Sequence, residues 1–164
     1  MVDPDFQYVI AELAMALAGF SGVVVGVKSS SQKSVDRQDR FGLLLILLTS
    51  GCAMLFSLAP LALQASGMSA QNAGDLSNTL VSLVVLGACS VVGIASFKSS
   101  PRYPFTFWPL LIFGWVLAIA LLVKSAGLIE YAADLSALML LFLLTAGFAQ
   151  FFSFLIMSWW KPEQ

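Results

Sequence analysis

Residues 43–63 read LLLILLTSGCAMLFSLAPLAL. That is 21 residues without one charge, and the hydrocarbon core of a bilayer takes about 20 apolar residues of helix. The interruptions are small residues (Thr49, Ser50, Gly51, Cys52, Ser57) and one proline, Pro60, expected to kink the outer third of the helix. Gly42, Thr49, Ala53, Ser57, Pro60 and Gln64 form one small or mildly polar stripe, and the remaining faces are bulky and apolar, so this helix must be wrapped by protein or by lipid. Upstream the run reaches Phe41 and stops at the charged stretch DRQDR, residues 36–40.

The rest of the chain decides between protein and lipid. Its 164 residues are 59% hydrophobic and 10% charged, with eight Lys or Arg, nine Asp or Glu and no His. The mean hydropathy is +0.91. A soluble domain is about 25% charged and needs that polar shell. The composition excludes an ordinary soluble enzyme, a disordered chain and a nucleic-acid binder, and leaves an integral membrane protein. Four further apolar runs accompany the first. The expected fold is an all-α, five-transmembrane-helix bundle, one domain over residues 1–164. Its helices fall at about 6–27, 41–63, 76–97, 107–124 and 135–159.

The scarce charges give an orientation. Lys28, Lys33, Arg37, Arg40, Lys98, Arg102 and Lys161 fall on one side of a five-span chain, and only Lys124 falls on the other. Basic residues accumulate on the cytoplasmic side. The N-terminus is therefore expected outside and the C-terminus in the cytoplasm. The acidic opening MVDPDF lacks the basic start of a signal peptide, so the first span is expected to stay in the membrane. Lys28, Lys33, Arg37, Arg40, Lys98 and Arg102 are placed to meet lipid headgroups. Trp159, Trp160 and Lys161 read as an interfacial anchor, as do Tyr103, Phe105, Phe107 and Trp108. Helix caps are expected at Asp75 or Ser77 for span three and Asp134 or Ser136 for span five, with Pro109 in the first turn of span four.

Lipid is as apolar as leucine, so helices in it associate through small residues and polar links. In span one Ala14, Ala18, Gly22 and Gly26 recur every four residues and read as a helix-packing line. Glu12 is the one clear ionisable group within a span. A helix starting near Asp5 puts it about 10 Å down the axis, close to that line, so it is expected to face protein. A neutral carboxyl there exchanges protons, and an ionised one attracts cations. Gln64 and Asn78 belong at the same outer end, and Gln150 lies deeper in span five. These four form the candidate ion or proton pathway. Structural hydrogen bonding is the plainer role open to each of them.

Catalysis is not expected. There is no His, no HExxH, no GxSxG elbow and no pair of carboxylates within one span. Cys52 and Cys89 sit inside apolar runs and read as packing residues. No metal, no cofactor and no nucleic acid are expected. The expectation is a homo-oligomeric cation or proton channel or carrier, with Glu12 in the path. The alternative is a non-transporting accessory subunit that packs against a partner membrane protein. Short loops and compactness point to a multi-pass protein of a cell membrane, the bacterial inner membrane in particular.

Overall fold

A computed structural model describes residues 3–31, 37–98, 107–128 and 135–159. Among these residues there are five helices: α1 (Pro4–Ser31), α2 (Arg37–Ala65), α3 (Ala70–Lys98), α4 (Phe107–Ser125) and α5 (Leu135–Trp159). No strand occurs among the described residues. All five helices are long and apolar enough to cross a membrane. Leu44, Leu55, Val91, Val116, Phe152 and Ile156 are among the large apolar side chains left exposed on α2 to α5. Water would make that surface costly, and a bilayer accounts for it. The chain is a multi-span helical protein suited to lipid.

The helices outrun the apolar segments because backbone helix continues into polar flanks where hydropathy stops. The largest difference is α3, which starts at Ala70 rather than near residue 76. The cause is Ser69. Its hydroxyl accepts the Asn72 N–H at 3.3 Å and its carbonyl accepts the Ala73 N–H at 3.0 Å. This is an N-cap, and it corrects the expectation of a cap at Asp75 or Ser77, which lie inside the helix. Ser136 likewise lies within α5 rather than ahead of it, and Asp134 is outside the described residues. Pro109 does stand in the first turn of α4, where its missing N–H costs nothing.

Both α2 and α4 end the same way. Gly67 (φ 97°) and Gly127 (φ 74°) adopt the left-handed conformation that L-side chains resist. After α2, the Gly67 N–H reaches the Gln64 carbonyl at 3.0 Å and the Met68 N–H reaches the Leu63 carbonyl at 3.2 Å. After α4, Gly127 bonds Lys124 at 2.9 Å and Leu128 bonds Val123 at 3.2 Å. Each is a Schellman stop, which satisfies helix-end carbonyls that lipid cannot.

The chain divides into two compact units: Met1–Pro4 with Leu58–Met139, and Asp5–Ser57 with Leu140–Gln164. The division in α2 falls one turn before Pro60, which cannot donate to the Phe56 carbonyl. In the first unit α3 packs on α4. The Thr79 hydroxyl lies 3.2 Å from the Ser125 hydroxyl, and Gly93 sits against Leu111. From 79 to 93 is fourteen residues forward on α3, and from 125 to 111 is fourteen back on α4. The pair is therefore antiparallel with a single register.

In the second unit Leu17 of α1 and Ile46 of α2 form a buried centre. Val24, Leu43, Phe148 and Phe151 pack around it, so α5 completes the cluster. Gly147 of α5 fits closely. A Cβ there would lie 2.8 Å from Leu17 Cδ2 and 3.2 Å from Thr49 Oγ1. Three helices thus touch at Leu17, Thr49 and Gly147.

Candidate functional site

The second unit has two faces worth separating, and α1 shows both. Gln7, Ile10, Ala11, Ala14, Leu17 and Ser21 are buried. Their steps of three and four residues trace one side of a helix. The opposite side carries Tyr8, Glu12, Ala16, Gly19, Val23 and Gly26, all exposed. Glu12 was expected to face protein. Within this chain it faces outward, about 12 Å along the helix from Pro4.

The line Ala14, Ala18, Gly22, Gly26 behaves differently along its length. Ala14 is buried, Ala18 is half-buried, and Gly22 and Gly26 are exposed. Four residues of helix turn through about 400°, so each step drifts by about 40°. Three steps carry the line from the core to the outside. A Cβ added at Gly19, Gly22 or Gly26 meets nothing within 4 Å. The glycine side of α1 is open.

The inner face of the unit is polar in an unusual way. Ser21 donates to the Leu17 carbonyl at 2.7 Å and Ser50 to the Ile46 carbonyl at 2.7 Å. Thr49 donates to Leu45 at 2.9 Å, Ser57 to Met54 at 2.8 Å and Ser153 to Ala149 at 2.8 Å. Every one of these hydroxyl hydrogens is spent on its own helix, a common fate in helices. What the hydroxyls still offer is lone pairs. Two amide oxygens add to them: Gln7 Oε1 and Gln150 Oε1 are buried and have no hydrogen-bond partner.

Gln7 was missed in the sequence. Gln7, Ala14 and Ser21 are seven residues apart, which would have marked the inner face. The signal is weak because leucine serves equally toward lipid and toward protein, so apolarity does not point inward. The other candidates divide between the units. Gln150 belongs with Glu12 in the second, while Gln64 and Asn78 belong to the first. Gln64 is half-buried at the end of α2, and Asn78 is half-buried with its carbonyl accepting the Ser82 hydroxyl at 2.7 Å. Lys33, Arg102, Lys161, Trp160, Tyr103 and Phe105 lie outside the described residues, as do the side chains of Lys28, Arg37, Arg40, Lys98, Phe107 and Trp159. Trp108 is exposed at the start of α4. Among the described residues no His, Cys, Asp or Glu cluster could hold a metal. No family model, curated protein or solved structure matches the chain.

Proposed function

We propose that the protein self-associates in a cell membrane along the outward side of α1 and passes cations or protons past Glu12. In this reading its N-terminus is outside and its C-terminus is cytoplasmic, with basic loop residues at the inner headgroups. It is a transporter and not an enzyme. The observation that carries the reading is the exposed carboxyl of Glu12 inside an apolar span. A charged acid turned to the hydrocarbon centre costs about 2.5–3.5 kcal/mol on insertion scales. Copies of α1 arranged around an axis would turn those carboxyls to shared water instead. Such a ring favours cations. Open space beside Gly19, Gly22 and Gly26 supports close approach of a second helix on that side.

The test is flux of H+, Na+ and K+ through liposomes containing the purified protein, with Glu12→Gln alongside. Wild-type flux that Glu12→Gln abolishes or makes independent of pH supports the reading. Flux identical in the two proteins removes Glu12 from any pathway. A chain that stays monomeric in detergent and copurifies with another membrane protein favours an accessory role.

A further inference from the structure

We infer that association of copies along the outward side of α1 is coupled to uptake of a proton at Glu12, so that the assembly loosens as the pH rises. This coupling rests on the self-association proposed above and adds what controls it. Glu12 is exposed within a segment apolar enough to cross a membrane. Among the described residues nothing hydrogen-bonds or ion-pairs with its carboxyl. Approach to that side is not blocked, because a Cβ at Gly19, Gly22 or Gly26 meets nothing within 4 Å. Copies inserted in the membrane the same way hold Glu12 at one depth, so a second copy brings its own Glu12 to the same level.

A second copy has no cation to offer. Residues 1–27 contain no Lys, Arg or His, and the first basic residue, Lys28, is sixteen positions beyond Glu12, about 24 Å along the helix. The nearest titratable groups on α1 are Tyr8, one turn toward the N-terminus, and Asp5, two turns away, both exposed. Asp3 stands ahead of the helix. From the buried side, residues 41–57 of α2 and 140–159 of α5 carry no charge, and their one titratable group is Cys52. Identical copies therefore set acid against acid. Two ionised carboxyls repel more strongly between packed helices than in water, because the local dielectric is lower. A proton removes the repulsion: a neutral carboxyl donates to the carboxylate beside it in a charge-assisted hydrogen bond. A metal ion is a poorer bridge, because it takes several oxygens at once. Across residues 9–26 the only oxygen-bearing side chains are Glu12 and Ser21, and Ser21 is 1% exposed on the opposite side of α1. The proton is held in the assembly and released by the separate chains, so association is strongest at low pH and weakens as pH rises.

The test is energy transfer between copies carrying donor and acceptor dyes, in phosphatidylcholine vesicles across a pH series at constant ionic strength. The wild-type association constant should fall by up to about tenfold per pH unit for each proton taken up. Glu12→Gln is neutral at every pH and should keep its transfer constant across the series. Asp5→Asn should retain the wild-type fall. Wild-type transfer that is present but independent of pH overturns the inference and leaves self-association standing. A fall that persists in Glu12→Gln also overturns it. So does association restored at high pH by exchanging choline chloride for NaCl or CaCl2, which would make a metal ion the bridge. Absence of transfer at every pH overturns self-association itself and the coupling with it. The wild-type series and its salt exchange decide even where a variant does not fold.

Discussion

Gly147→Ala should destabilise the second unit, although alanine is the better helix former. The added Cβ would sit 2.8 Å from Leu17 Cδ2 and 3.2 Å from Thr49 Oγ1. Carbon atoms pack best at about 3.5–4.0 Å, so Leu17 must retreat by most of an ångström. It has little room, being 2% exposed and packed with Ile46 amid Val24, Leu43, Phe148 and Phe151. Overpacking of this kind costs about 1–3 kcal/mol. The change from glycine returns up to about 1 kcal/mol of helix propensity. The net loss is about 0–3 kcal/mol, or a fall of up to roughly 12 °C in midpoint. Thermal unfolding in detergent measures it. Leu17→Val, which trims the clashing end, should recover part of the loss in the double variant, giving a coupling of about 1 kcal/mol. Gly22→Ala is the control, since nothing lies within 4 Å of its Cβ. It should be neutral or stabilising. A Gly147→Ala protein as stable as wild type, with no coupling to Leu17, would refute the packing described here.

Three further outcomes are expected. Gly67→Ala and Gly127→Ala force an L-side chain into the left-handed region (φ 97° and 74°) and should each cost about 1–2 kcal/mol, read as a lower unfolding midpoint. Thr79→Val removes the hydroxyl 3.2 Å from Ser125 and should cost about 0.6–1.7 kcal/mol; a double-variant cycle with Ser125→Ala should show that the two losses are not additive. Gly22→Leu fills open space on the outward side of α1, so it should leave the unfolding midpoint within about 0.5 kcal/mol of wild type while reducing self-association in crosslinking or native mass measurement. Unchanged self-association would place the contact between copies elsewhere.

The number of helices was legible because each apolar run is as long as a membrane crossing, and α5 keeps both expected ends, Leu135 and Trp159. Ends governed by single hydrogen bonds were less so. Ser69 sits in the polar stretch SGMSAQN, where several residues are capable of capping and only geometry chooses one. Faces were the hardest to read. In a soluble helix charge marks the outside, whereas α1 in lipid can present Val23 outward and Leu17 inward with equal ease. The spacing of Ala14, Ala18, Gly22 and Gly26 is real, yet a straight helix winds that line from buried to exposed. Glu12 follows the outward half. Gln7 escaped notice because one amide near the start of a span resembles an interfacial residue, and only its burial sets it apart.

The two units differ in when they can be finished. α3 and α4 follow each other, so their antiparallel register is available as soon as both have left the ribosome. The second unit closes through Gly147, which arrives 130 residues after the Leu17 it must fit. During that interval Leu17 and Thr49 wait without their last neighbour. The serines and threonines tolerate the delay because their hydrogens are already satisfied within their own helices. Such self-sufficient spans can be released from the translocation machinery one at a time. Folding of the unit is therefore timed by the last helix made, and a stalled or truncated chain should leave the first two spans inserted but unpacked.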